Sequence, residues 1–319
     1  MNHPLLAIVI MAAFHTVCHA QNFPDRAINY DPLGEHRYDS AGFSALTGSN
    51  LHAEFGRYSN GSGGSHRWTA KTGGTIELAR WDSSWSIAIV GTAEITIDPH
   101  NDIAFNPRAI SWEEGVMVSR RIGRNMALQL GAMQRCKHDI DNVESMLSGG
   151  HLEERTLIYS GATIRLLLRP HALLPGSDLL RGGLALRNEL YVHTLDHRIA
   201  GESDAEGRSL EAMIASHVLI GRLELHLPES RVAAHLSGSL MLTYFGERFG
   251  VAGYDAGAIT AFGSVPHLEL GVDLINPIGG TLSIFARGEW QRDAAILPKP
   301  QPARLFLLGV RFGDAGTMW

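Results

Sequence analysis

A charged stretch, RCKHDIDN, follows the alternating apolar segment MALQLGAMQ and brings together side chains that could do acid–base chemistry. A histidine oriented by a carboxylate can act as a general base, and His138 lies beside Asp139 and close to Asp141. These three are the candidate catalytic residues of a surface hydrolase. Because no serine lies two residues beyond the histidine, the nucleophile would come from another strand or be a water molecule.

The same stretch has other interpretations. Asp139, Asp141, Asn142 and Glu144 offer hard oxygen ligands to calcium, although their spacing is not that of an EF-hand. Its basic residues could bind phosphate headgroups or a polar solute. The simplest interpretation, which we favour, is a solvated rim at the outer end of a membrane strand, and we expect no metal and no cofactor. The candidate rim residues are Arg135, Lys137, His138, Asp139, Asp141 and Asn142.

A second group of charges alternates with apolar residues along predicted strands. Since Arg or Lys at the bilayer centre costs about 2–4 kcal/mol, these side chains are expected to face the lumen of a barrel. They either pair and fill a narrow interior or line a hydrated channel, because twelve strands lie between the filled and the open sizes of barrel. The predicted lumen residues are Glu113, Arg187, Glu189, His193, Arg222, Glu224, His226, His267, Glu269, Asp273, Arg287 and Glu289.

The elements that would position these residues are long alternating strands. In the clearest, WSIAIVGTAEITI at 85–97, the apolar side chains fall on odd positions. Its length suits a tilted membrane-spanning strand, whereas a typical strand has about five or six residues. The pattern predicts an all-β, antiparallel transmembrane barrel of about twelve strands, at 51–58, 74–81, 85–97, 109–119, 126–136, 156–168, 183–193, 213–227, 234–245, 266–276, 281–290 and 304–312.

The links between the predicted strands alternate between short turns and long polar segments. This alternation is typical of outer-membrane barrels, in which the short turns are periplasmic and the long loops extracellular. It places 59–67 and 195–209 outside the cell. One link, 169–181, is too long for its place and is expected to form a small helix or a lip. Residues 21–45 carry no strand pattern and are interpreted as a lead-in or a partial plug.

The first residues indicate export. An apolar run from Leu5 to Phe14 and a small residue at Ala20 predict a signal peptide at 1–20, with cleavage before Gln21. The barrel domain is then 46–319, in the outer membrane of a diderm bacterium. Only Cys136 remains, so no internal disulfide is expected.

Composition limits the partners. The net charge is −6 and the pI about 6.2, which argues against nucleic acid. The expected partners are outer-membrane lipid and small polar solutes. A soluble periplasmic β-sandwich is a third class of structure. The long strands and Trp85, Trp112 and Trp290 argue against it, since aromatic side chains of this kind are typical of membrane interfaces.

The segment from FNPRAISWEEG through RRIGRNMALQLGAMQRCKHDID resembles a family of exported bacterial barrel proteins with no assigned activity. In that family the strand ends in two histidines that flank a small polar pair and precede an aspartate. His138 and Asp141 match the second histidine and the aspartate, whereas Gln134 replaces the first histidine, and Cys136 and Lys137 replace the small pair. The resemblance implies an outer-membrane barrel.

Two functions follow as hypotheses. The first is a passive outer-membrane protein, either a narrow porin-like channel or a structural barrel with a charged lumen. The alternative is a lipid-modifying hydrolase, of the phospholipase or lipid A deacylase type, that uses His138 at the rim.

Overall fold

The computed structural model describes residues 42–59, 68–82, 84–98, 106–139, 154–199, 212–228, 230–249, 255–276, 280–292 and 302–313. They form a closed antiparallel barrel of twelve strands in which every strand pairs with its neighbours in sequence and β1 pairs with β12. The strands are β1 (Phe43–Tyr58), β2 (Trp68–Trp81), β3 (Trp85–Asp98), β4 (Asn106–Arg121), β5 (Met126–Asp139), β6 (Glu154–Leu174), β7 (Ser177–Ile199), β8 (Ala212–His226), β9 (Val232–Phe249), β10 (Asp255–Asn276), β11 (Gly280–Arg292) and β12 (Pro302–Gly313).

The predicted fold class is thus confirmed, and the alternation of the sequence explains its two faces. Successive strand residues point to opposite sides of a sheet. On β10, Leu268, Leu270 and Val272 are exposed on the outside, while Glu269 and Asp273 are buried inside. A wall with an apolar outer surface and a polar interior suits a barrel surrounded by lipid. The described residues contain no helix that is long and apolar enough to cross a membrane.

The five short links lie at one end of the barrel, which we call the short-turn end; the other is the long-link end. The short links join β2 to β3, β4 to β5, β6 to β7, β8 to β9 and β10 to β11. Asp82 ties the start of β1 to this end, because its backbone amide and its carboxylate bond the backbone of Gly42 at 2.8 and 2.9 Å. Outward aromatic residues, including Trp81 and Trp85, lie at the same end.

The link at 169–181 is not the small helix that was one of the two forms predicted for it. β6 and β7 continue as a hairpin beyond their neighbours and turn at residues 175–176. Gly176 has φ 72°, a conformation that glycine adopts without steric cost. The turn is therefore as short as the others. The link was predicted too long because β6 and β7 extend beyond the apolar belt, where the alternating pattern that marks a strand is absent.

Other strands also extend past their predicted limits. β1 begins at Phe43, so the barrel starts inside the predicted lead-in at 21–45. β7 runs to Ile199, so the first part of the predicted loop at 195–209 is strand. Strand pairing continues beyond the lipid-facing segment because backbone hydrogen bonds do not need an apolar partner face. The predicted signal peptide and most of the lead-in lie outside the described residues.

Candidate functional site

The interior of the barrel carries the densest group of functional side chains. Arg165 and Arg187 are each 1% exposed, and Glu189 is 3% exposed. A charge buried to this degree is stable only when it is paired and hydrogen-bonded. Of the predicted lumen residues, the structure buries these inside the barrel: Glu113, Arg187, Glu189, Arg222, Glu269, Asp273, Arg287 and Glu289.

Of the four other predicted lumen residues, three are half-buried and one has a side chain outside the described residues. Glu224 and His226 are half-buried and contact each other, with 3.1 Å between His226 Nε2 and Glu224 Oε2. His267 is half-buried on β10. The side chain of His193 lies outside the described residues, so its place in the lumen stays a prediction.

The first ion cluster consists of Glu113, Arg135, Arg165, Arg187 and Glu189, from β4 to β7. Arg135 is its centre. Its Nε donates to Glu113 at 2.5 Å, and its two terminal nitrogens donate to the two oxygens of Glu189 at 2.7 and 2.9 Å. The paired geometry on Glu189 is the strong, fork-like form of an arginine–carboxylate contact.

The other two arginines complete this cluster. Arg165 reaches Glu113 at 3.3 Å, and Arg187 reaches Glu189 at 3.1 Å. Glu189 also accepts hydrogen bonds from the hydroxyls of Tyr191 and Ser216, at 2.8 and 3.0 Å. One carboxylate thus links the side chains of β5, β7 and β8 across the interior.

This geometry corrects the assignment of Arg135 to the outer rim. The side chain is 4% exposed and lies inside the barrel. Its register partner is Glu113 on β4, and residues directly opposite on neighbouring strands share a face. The last part of β5 therefore still follows the alternation of the wall, and Arg135 belongs to the interior set.

The second ion cluster lies on β8 to β12 and β1. It consists of Glu54, Arg222, Glu224, His226, His235, Glu269, Asp273, Ser283, Arg287, Glu289 and Arg311. Two arginines converge on two carboxylates at its centre. Arg287 contacts Glu54 at 2.8 Å and Glu269 at 2.6 Å, and Arg311 contacts the same two residues at 2.9 and 2.6 Å.

The remaining contacts extend this cluster to β8 and β9. Asp273 accepts from Arg222 and from Ser283. His235 lies between two carboxylates, 3.0 Å from Glu269 through Nε2 and 3.0 Å from Asp273 through Nδ1. Each acid in this group therefore has a basic or hydroxyl partner.

Apolar side chains fill the space next to the ion clusters. An inner apolar cluster joins six neighbouring strands, β5 to β10, and consists of Met133, Tyr159, Tyr191, Val218, Met241 and Val265. Near the second ion cluster, Phe285 lies under both Arg287 and Arg311, each 4.6 Å from the ring centre. A charge over an aromatic face is attracted by the ring, so the arginines are held on this side as well.

Sequence reasoning missed several interior residues. The predicted lumen residues did not include Glu54, Arg165, His235 and Arg311. Each of these points inward on a strand whose outward side chains are apolar. The signal was present: Glu54 alternates with Phe55, and Arg311 lies between Val310 and Phe312. A stricter use of the two-residue period would have found them.

The rim cluster remains a prediction. The backbone of His138 belongs to β5, opposite Ile110 on β4 and Thr156 on β6. The side chains of Lys137, His138 and Asp139 lie outside the described residues, as do Asp141 and Asn142 altogether. Within the described part of the chain, no group of three or more histidine, cysteine or acidic side chains is arranged to hold a metal ion.

Comparison with family models finds no match, and comparison with curated proteins finds none. Solved structures are similar in fold only. Outer membrane phospholipase A from Escherichia coli is 9% identical, with 83% of this chain and 92% of that chain covered and a TM-score of 0.43. The CymD monoaromatic hydrocarbon channel is 9% identical, with coverage of 86% and 88% and a TM-score of 0.37.

The siderophore receptor PirA from Pseudomonas aeruginosa is also 9% identical, with a TM-score of 0.33. The match covers 79% of this chain but only 38% of the receptor. Fold alone does not assign an activity. With its closed antiparallel wall, apolar outside and charged inside, the chain has the fold of an outer-membrane β-barrel.

Proposed function

We propose that this protein is a sealed barrel of the outer membrane of a diderm bacterium, with a lumen that its own side chains close. The observation that carries the proposal is the near-complete burial of charged residues on the inner face, such as Arg165, Arg187 and Glu189. A water-filled channel would leave the side chains of its wall exposed to solvent.

The ion pairs support the same conclusion because they connect strands that are not neighbours. Arg135 on β5 reaches Glu189 on β7, and Arg287 on β11 reaches Glu54 on β1. Each of these contacts passes over the strand between its partners, so the side chains cover the inner surface of that strand. The inner apolar cluster fills the neighbouring space.

A sealed lumen directs function to the outer surfaces of the barrel. The short-turn end is then periplasmic and the long-link end extracellular, as in other barrels of this class. Solute passage would require that the ion pairs separate. Breaking a buried pair by removing one partner costs about 3–5 kcal/mol, so spontaneous opening is expected to be rare.

Single-channel recording on the refolded protein in a planar lipid bilayer tests this proposal. Wild type should give no steady open level. Arg135→Ala removes the bridge between Glu113 and Glu189 and should produce conducting events. The matched control is Arg120→Ala, because Arg120 is exposed and lies over the ring of Trp85 at 4.9 Å.

A change in mobility between unheated and boiled samples on a gel would establish that each variant is folded. A steady open conductance of the folded wild type would overturn the sealed barrel and favour the narrow porin-like channel. Conductance that rises equally in Arg120→Ala would show that the leak does not come from the ion cluster.

A further inference from the structure

On β10 the outward side chains Leu268, Leu270, Val272 and Leu274 are apolar and exposed, whereas a polar pair interrupts the outer face on β7 and β8. Asn188 and His217 are register partners. His217 Nδ1 lies 2.7 Å from Asn188 Oδ1. The ring of Tyr244 on β9 meets the imidazole edge-on, with 5.2 Å between ring centres. The pair is therefore fixed in orientation by a hydrogen bond on one side and an aromatic ring on the other.

The position of this pair is the outer part of the lipid-facing belt. A membrane strand needs about 9–11 residues to cross, and the stretch from His217 to Leu227 at the short-turn end has that length. Leu190 and Val192, 54% and 50% exposed, continue the apolar face of β7 beyond Asn188. The pair thus lies where lipid chains join their polar heads, and not in open water.

The hydrogen bond decides what the pair can offer a lipid. Asn188 Oδ1 can only accept, so His217 Nδ1 carries a proton, and Nε2 has a lone pair to offer whenever the ring carries that proton alone. Within the described part of the chain, Nε2 has no hydrogen-bond partner. The amide nitrogen of Asn188 carries the N–H donors of the pair. The two side chains together present one acceptor and one donor, which complements an amide group.

The charges nearby disfavour recognition of a phosphate. On the side of β6 and β5, the register partners that follow from Asn188 are the apolar Ile164 and Leu130. Among the side chains described on β5 to β8, none on the outer face near this level is cationic. Phosphate binding relies on arginine or lysine, so the pair itself, with an acceptor on His217, favours a ligand with N–H or O–H groups.

We infer that Asn188 and His217 form a binding site for an outer-leaflet lipid that carries an amide or a hydroxyl where its chain joins the head. The lipid N–H or O–H donates to His217 Nε2, and its carbonyl accepts from the Asn188 amide. A lipid with ester-linked chains has no such donor at this depth and binds less well. The site is independent of the sealed lumen.

Native mass spectrometry of the refolded barrel tests the site with two lipids that share a phosphocholine head. Sphingomyelin has an amide and a hydroxyl at the interface, and phosphatidylcholine has neither. Wild type should retain sphingomyelin about fivefold better, the ratio expected for one net hydrogen bond. His217→Phe and Asn188→Leu should abolish the preference, and the adjacent outward variant Leu219→Phe should keep it.

Two further lipids separate the sources of the donor. Lipid A, which has amide-linked and hydroxylated chains, should be retained like sphingomyelin. Phosphatidylethanolamine has its donor only on the head, and a preference for it that depends on His217 would overturn the interfacial assignment. Equal retention of sphingomyelin and phosphatidylcholine by wild type would also overturn the site. The site would likewise be overturned if wild type showed no lipid preference but formed a dimer that His217→Phe converts to a monomer.

Discussion

The inner and outer faces of the barrel wall are built from alternate residues of the same strands, yet their side chains are stabilised in different ways. On β10, Glu269 and Asp273 face inward and find arginine, histidine or serine partners. Leu270 and Leu274, one position away from these acids, face outward and are exposed. The inside tolerates charge because the partners are supplied by the chain, whereas the outside tolerates only what lipid can solvate.

The same two-residue spacing therefore places opposite requirements on the inner and outer faces. An inward polar residue is costly to lose, because its partner stays buried and unpaired. An outward apolar residue is costly to charge, because lipid offers no partner. The Asn188–His217 pair is an exception, since it is polar on the outer face and half-buried.

The largest expected effect comes from breaking the inner face. Glu269→Gln keeps the shape of the side chain but removes the charge that faces Arg287, Arg311 and His235. The free energy of unfolding should fall by about 3–5 kcal/mol, measured by denaturant unfolding of the barrel in lipid vesicles. Glu114→Gln on the outer face is the control and should not lose stability. Equal effects at both positions would mean that the two faces do not differ as described.

Charging the outer face should cost somewhat less and should depend on depth. Leu270→Arg places a cation within the belt and should lower stability by about 2–4 kcal/mol. Leu274→Arg lies nearer the short-turn end and should cost about 0–1 kcal/mol. The same unfolding measurement checks both variants. A larger loss at Leu274 than at Leu270 would contradict the position of the belt.

A smaller loss of stability is expected at Gly176, which lies in a turn and belongs to neither face of the wall. Gly176 turns the β6–β7 hairpin with φ 72°, and an added Cβ would meet no atom within 4 Å. Gly176→Ala should therefore cost about 1–2 kcal/mol through backbone conformation alone. Gly123→Ala, in the β4–β5 link, is the control, because its added Cβ would make only an ordinary contact at 3.6 Å. No loss at Gly176 would argue against the tight turn.

The smallest effect is expected at the predicted rim. His138→Ala and Asp141→Ala should each change stability by about 0.5 kcal/mol or less, as solvated surface positions do. They should also leave phospholipid and lipid A intact in detergent micelles. Hydrolysis by the wild type that disappears in a folded His138→Ala variant would instead support the hydrolase alternative.

Periodicity alone predicted the barrel and much of its interior. Because strand side chains alternate with a period of two, the sequence WSIAIVGTAEITI identifies its lipid-facing side without any structure. Arg187, Glu189, Glu269 and Arg287 were found in the same way. Each of these four side chains is buried, and its face follows from its neighbours along the chain alone.

Other features depend on which strands meet and were decided only by the tertiary structure. The sequence does not show that Arg135 reaches Glu189, because that contact joins residues on β5 and β7 that are far apart along the chain. It does not pair Asn188 with His217, since this needs the register between β7 and β8. Sequence determined the face on which each of these side chains lies, and the closure of the sheet determined its partner, because register is a property of strand pairs.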